Sequence, residues 1–247
     1  MAPAKPTRTR HLGHLTWRLA TLIAICALAL QLFWLLRIAL MVVVNPQSTS
    51  FQRSELWRLA GQGLPVAWAQ EWVDAERISA QLKRAVIASE DAGFTDHSGV
   101  EWDAVEQAWT RNQRAEARAN PKRPPKLVGG STISQQLAKN LFLSGERNLA
   151  RKAQEFVITV ALETLLSKHR ILEIYLNGVE WGEGLFGAQA ASRYYFGRDA
   201  ARLDAASAAR LAVMLPAPKR FERQLNSAYV LGRAATIRAR MAAVELP

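Results

Sequence analysis

The chain has 247 residues, 49% of them hydrophobic, with 32 Lys and Arg against 21 Asp and Glu and a formal net charge of +11. That length allows one domain of ordinary size beside a membrane segment, and a single cysteine, Cys26, excludes an intramolecular disulfide framework. The basic balance suits an anionic lipid surface or a phosphate-bearing substrate.

Lys5, Arg8, Arg10 and Arg18 open the chain with no acidic residue among them, and residues 19–36 carry no charge. Apolar character resumes from Ile38 to Val44 after Arg37. A helix of about 27 residues would reach ~40 Å, more than the ~30 Å hydrocarbon core of a bilayer. Arg37, near one end, can snorkel to the headgroups. The run is long for a signal peptide and no small-x-small site follows it before Asn45, so an uncleaved anchor is expected. Beyond it Arg53 and Arg58 mix with Glu55, Glu71, Asp74 and Glu76. The positive-inside rule then places residues 1–17 in the cytoplasm, 18–44 in the membrane and 45–247 as a domain on the far side, in a bacterium the periplasm. That orientation argues against nucleic acid as a partner.

From Glu55 onward the pattern is mainly helical. Ile78, Leu82, Ala85 and Val86 recur at helical spacing in a helix that ends at Glu90 and Asp91, with Gly93 as terminator. Residues 111–126 (RNQRAEARANPKRPPK) read as a basic loop over the cleft or on the anionic leaflet. In Gly129 to Asn140 (GGSTISQQLAKN) two glycines permit positive φ and close approach, and Thr132 with Gln135 has capping-box spacing. The helix start exposes N–H groups that suit an anion. Another helix begins near Asn148 and runs through Phe156, Val160, Glu163 and Thr164. Further helices are expected over Ile171–Leu176, Ala205–Leu215 and Ser227–Val244. Gly178, Gly182, Gly184 and Gly187 mark a turning segment with little room for regular structure. No Ser-x-x-Lys occurs, which excludes a penicilloyl-serine transpeptidase domain.

Three groups carry candidate chemistry. Glu90 at a helix C-terminus meets the negative end of the dipole, and Phe94 beside it adds desolvation, so its basicity rises toward that of a general base. His97 has no second His or Cys nearby and reads as a structural hydrogen-bonder. Arg151 and Glu155 share a helix face with Lys152 flanking it, and with Lys139 they could hold a pyrophosphate, directly or through a divalent metal on Glu155. A base on one side and a phosphate cradle on the other match sugar transfer from a lipid pyrophosphate. A glycoside hydrolase would need an acid for a neutral leaving oxygen instead.

The ordered motifs closely resemble those of the monofunctional biosynthetic peptidoglycan transglycosylases of glycosyltransferase family 51. The segment Glu90 to Gly99 (EDAGFTDHSG) is similar to the first family motif and Gly129 to Asn140 to the second. Arg151 to Glu155 (RKAQE) resembles the third, Arg170 to Asn177 (RILEIYLN) the fourth, and Gly184 to Gly197 the segment that follows. The resemblance implies a mainly α, lysozyme-like glycosyltransferase domain with a membrane-facing lobe behind one transmembrane helix. It implies polymerisation of lipid II into β-1,4-linked glycan with release of undecaprenyl pyrophosphate, at the cell inner membrane. Glu90 would be the general base and Glu155 the second carboxylate, with a divalent cation (Mg or Mn) and no organic cofactor. Substrate contacts would come from Asp91, Phe94, Ser131, Thr132, Gln135, Gln136, Lys139, Asn140, Arg151, Lys152 and Asn177. Partners would be lipid II, the growing lipid-linked glycan, the membrane, and cell-division or elongation proteins.

One departure stands out: Ser207 occupies the place of a glutamate usual in the fifth motif, which bears on packing beneath the fourth. Two rival readings are a lytic enzyme of similar fold and a membrane-anchored cell-wall scaffold with reduced activity. The cations around Glu155 argue against the first, and the presence of both Glu90 and Glu155 against the second.

Overall fold

The computed structural model describes residues 8–63, 67–118, 129–146 and 148–247. Helix α1 (Arg8–Leu40) contains the stretch His14–Leu40, long and apolar enough to cross a membrane. It stops at Leu40, short of the expected Val44, and residues 41–43 close in turns. Ile38 and Met41 are buried in the core of the following domain. Midway along α1, Gln31 exchanges hydrogen bonds of 2.8 and 3.2 Å with Gln154.

The domain is mainly α, as the periodicity predicts. Its helices are α2 (Ser50–Ala60), α3 (Ala80–Glu90), α4 (Trp102–Ala117), α5 (Ile133–Phe142), α6 (Leu149–Leu165), α7 (Lys168–Gly178), α8 (Ala188–Phe196), α9 (Ala205–Met214), α10 (Pro218–Phe221) and α11 (Ala228–Arg240). Side-chain caps begin most of them: Thr49, Ser79, Thr132, Asn148, Ser167, Asp204 and Ser227 each accept a backbone N–H of the first turn. Helices α3, α9 and α11 pack together, and α5 bridges α2, α6 and α7. The apolar spacing works as expected in α3, where Leu82, Ala85 and Val86 are buried. In α6 it points the other way. Ile158 and Leu162 face the core, whereas Phe156 and Val160 lie on an exposed apolar face with Leu149, Val157 and Leu165, and α6 packs against α1.

Three sequence expectations are corrected. The glycine-rich stretch contains strands β2 (Glu180–Gly182) and β3 (Leu185–Phe186), which join β1 (Ala69–Gln70) in a sheet of order β1-β3-β2. β1 runs parallel to β3 and β2 antiparallel to it. Gly187 follows with φ of 83°, where a Cβ would come within 2.8 Å of the Asn177 carbonyl oxygen. The basic segment is helical up to Ala117, because α4 continues through Arg111 and Arg114; its remainder from 119 lies outside the described residues. Gly93, Gly129 and Gly130 are absent from the positive-φ glycines. Gly130 serves close approach instead, since a Cβ there would meet the Ala104 carbonyl oxygen at 3.1 Å.

Ser207 is buried in the first turn of α9, and its N–H donates to Asp204 Oδ1 at 2.8 Å. A glutamate in that third helical position could return a bond to the cap; serine leaves the cap one-sided. The main contacts of α9 are with α3 and α11.

Candidate active site

Helix α3 ends at Glu90 because Asp91 leaves the helical region, with φ of −165° and ψ of 74°. The Asp91 side chain is buried and fully used. Its Oδ1 pairs with His97 Nε2 at 2.8 Å and its Oδ2 accepts the Ile133 N–H at 2.9 Å. Gly99 N–H donates to His97 Nδ1 at 3.0 Å, which assigns the ring proton to Nε2. His97 is the structural hydrogen-bonder the sequence suggested. Phe94 is fully buried, edge-on to His97 and beneath the Lys168 ammonium at 4.6 Å. It is a core residue and does not line the cleft.

The capping box of α5 is present: Thr132 Oγ1 accepts from Gln135 N–H, and Gln135 Oε1 accepts from Thr132 N–H, both at 3.2 Å. Thr132 also donates to the Gly99 carbonyl at 2.6 Å. Gly99 has φ of 92°, and a Cβ there would collide with Thr159 Cγ2 at 2.7 Å. The anion at this helix start is the protein's own Asp91, so the start is a joint between motifs rather than a phosphate site. Asn177 is likewise a splint. Fully buried, it accepts from Val73 N–H and donates to the Val73 and Glu173 carbonyls, each at 2.9 Å. Arg170 ties the same helix to the anchor's exit, donating to the Met41 carbonyl at 2.8 Å and to Asn45 Oδ1 at 2.7 Å.

What opens to solvent beside this frame is a cavity of about 290 Å³ lined by Ser131, Gln135, Gln136, Lys139 and Asn140 of the second motif and Arg151, Lys152 and Glu155 of the third. Phe51 of α2 closes one side. Glu155 is buried on the inner face of α6, where Arg151 Nη1 donates to its Oε2 at 2.6 Å and Lys152 pairs with its Oε1. Asn148 caps this turn by accepting the Arg151 N–H at 2.7 Å.

Glu90 is linked to the cavity through one of its lining residues, Gln136, whose Nε2 donates to Glu90 Oε2 at 3.0 Å. Tyr175 O–H donates in turn to Gln136 Oε1 at 3.0 Å. Burial pushes the Glu90 carboxyl above its ordinary pKa; the bonds from Gln136 and Ser89 pull it down, and the Asp91 charge adds to the rise. The helix-end glutamate is thus held in a basic state, with desolvation the main cause.

Among the described residues, both Glu155 oxygens are paired with cations, Arg151 and Lys152, so the carboxylate stands as their partner in this structure. Asp91, His97 and Glu101 bring ligand atoms within 4.8 Å of one another. There the His97 Nε2 proton and both Asp91 oxygens are already spent on the strut described above.

A basic carboxylate beside a cationic cavity, on a helical domain behind an apolar helix, defines a transferase for an anionic, lipid-borne donor. Residues 62–242 match the family model described as Transglycosylase, and the chain belongs to that family. It is 51% identical over 238 residues, 95% of each chain, to the "Biosynthetic peptidoglycan transglycosylase" of Paraburkholderia phytofirmans. To the protein of the same name from Burkholderia vietnamiensis it is 49% identical over 249 residues, covering 100% of this chain and 98% of the other. The lysozyme-like helical architecture expected of the motifs is the one the chain has.

Proposed function

We propose that the protein is a peptidoglycan glycosyltransferase that polymerises lipid II into β-1,4-linked glycan and releases undecaprenyl pyrophosphate. Glu90 accepts the proton of the acceptor sugar's 4-hydroxyl as that oxygen attacks the donor's anomeric carbon. The anomeric C–O bond breaks, and its electron pair leaves on the pyrophosphate. Arg151, Lys152 and Lys139 neutralise the departing charge, while Glu155 holds the first two in place. Attack opposite the leaving group turns the α-linked donor into a β-linkage. Ser131, Gln135, Gln136 and Asn140 contact substrate; Asp91, Phe94, Thr132 and Asn177 support the frame. In this reading the chain sits in the inner membrane with residues 1–17 cytoplasmic, 18–44 spanning and 45–247 periplasmic.

The observation that carries the proposal is the contrast around α5: Glu90 is held by the neutral amide of Gln136, while Lys139, Arg151 and Lys152 line the cavity that Gln136 also lines. It also disfavours a lytic activity, which has no use for that cavity. Polymerisation of labelled lipid II by the full-length protein in detergent, beside Glu90→Gln, tests it. Glycan strands from the wild type and a loss of about 10³-fold or more in the variant are expected. Equal rates would remove Glu90 from the chemistry.

A further inference from the structure

The fourth motif contains a side chain that neither the frame nor the cradle uses. Tyr175 lies on α7 between Ile174 and Leu176, almost wholly buried, and its hydroxyl reaches across to α5. Gln136 stands between it and the base, with Oε1 toward the phenol and Nε2 toward Glu90 Oε2, both bonds 3.0 Å long.

We infer that Tyr175 is a positioning residue for the base: by donating its phenol proton to Gln136 Oε1, it locks the amide with its N–H group facing Glu90. This rests on the reading of Glu90 as general base. A glutamine amide has a donor end and an acceptor end of nearly the same shape, so nothing steric chooses between its two orientations. The phenol chooses. Among the described residues its proton has no other acceptor, so turning the amide over would strand a buried O–H. Burial, with the charges of Glu90 and Asp91, pushes the phenol's pKa well up, so Tyr175 remains a donor while Glu90 titrates.

The orientation matters because Glu90 must change protonation during turnover. With the N–H group held toward it, the ionised carboxylate is favoured and ready to accept a proton. With the amide free to turn, a protonated Glu90 could donate to Oε1, and the acid form would be stabilised instead. Among the described residues, the groups that act on Glu90 are Asp91 and Ser89 from its own chain segment and Gln136 from α5, with Tyr175 of α7 beyond it. Ser89 is shared with the Ala212 carbonyl of α9 at 3.4 Å. Asp91 is the charged neighbour acting on Glu90, and it acts to raise its pKa.

The test is the pH dependence of lipid II polymerisation for Tyr175→Phe in the full-length protein. Losing the lock raises the acidic limb by roughly 0.5 to 1 pH unit, so activity falls about three- to tenfold below the limb and little above it. In a Gln136→Ala background the same change should have no further effect on the limb, since Tyr175 acts through that amide. A limb at the wild-type position, a shift of equal size in the Gln136→Ala background, or a uniform loss at every pH with a lowered Tm would each overturn the inference and leave Tyr175 a packing role. Glu90→Gln run in parallel separates the two levels. Its inactivity, with an unshifted limb in Tyr175→Phe, sinks the lock alone, whereas its activity sinks the general-base reading beneath it.

Discussion

Two carboxylates close to the same short helix have been given opposite surroundings. Glu90 receives hydrogen bonds from neutral groups, the amide of Gln136 and the hydroxyl of Ser89, and its charged neighbour is the like-signed Asp91. Glu155 is more deeply buried yet gripped by Arg151 and Lys152. Burial beside neutral donors makes the Glu90 carboxylate more basic, whereas Glu155 is held between two cations. In the proposed mechanism, proton transfer and charge neutralisation thus fall to two carboxylates in opposite surroundings, so each can be altered without the other.

The sharpest way to break that division, after removal of Glu90 itself, is Glu155→Gln. Arg151 and Lys152 lose the group that aims them, and kcat for polymerisation should fall by about 10²- to 10³-fold. The KM for lipid II should not rise, because the cavity becomes more cationic. Steady-state kinetics decides; a pure KM effect would show that Glu155 serves substrate affinity alone.

A third buried carboxylate sharpens the same contrast. Glu180 lies 3.5 Å from Lys219, which it shares with Glu55, and its Oε1 has no hydrogen-bond partner. Burial wins over this half-share of a cation, and the carboxyl is pushed up to about 7. A folded-state pKa above the unfolded value means that the native state binds its proton more tightly. The fold therefore loses stability as pH rises from about 4.5 to about 7. Glu180→Gln should match the wild type near pH 4 and exceed it at pH 8 by up to about 3 kcal/mol, measured by denaturant unfolding in detergent.

The smallest effect concerns the joint between the motifs. Thr132→Ala removes the cap of α5 and the bond to the Gly99 carbonyl, and should lower stability by about 1–2 kcal/mol. Thr132→Ser should restore most of it. Melting curves of the three proteins check this, and an unchanged Tm in Thr132→Ala would mean that Asp91 alone holds the helix start.

Local signals were the legible ones. The capping box at Thr132 and Gln135, the helix start near Asn148 and the stop at Glu90 all follow from neighbours a few residues apart, and all stand in the structure. The pairing of Arg151 with Glu155 was also readable, since helical spacing puts them on one face, and both line the same cavity as Lys139 and Lys152. What stayed hidden depends on distant partners. Nothing near Phe94 or Asn177 says that one lies under Lys168 and the other against Val73. Strands of two and three residues leave too short a pattern to see among glycines. The Asp91 bond that takes up the start of α5 spans 42 positions, so a free helix terminus was the natural expectation.

The burial of Ile38 and Met41 changes what kind of object the anchor is. A leash would end before the domain begins. Here the last turn of α1 is set into the domain's wall, with Arg170 closing over the Met41 carbonyl behind it. Cutting the chain at Val44 would therefore leave a hole in the masonry: losing a buried Ile or Met side chain typically costs about 2–5 kcal/mol. A mortised joint also transmits angle. With α1 spanning the bilayer as proposed, that joint would set the inclination of the cleft to the membrane instead of leaving it to the swing of a tether.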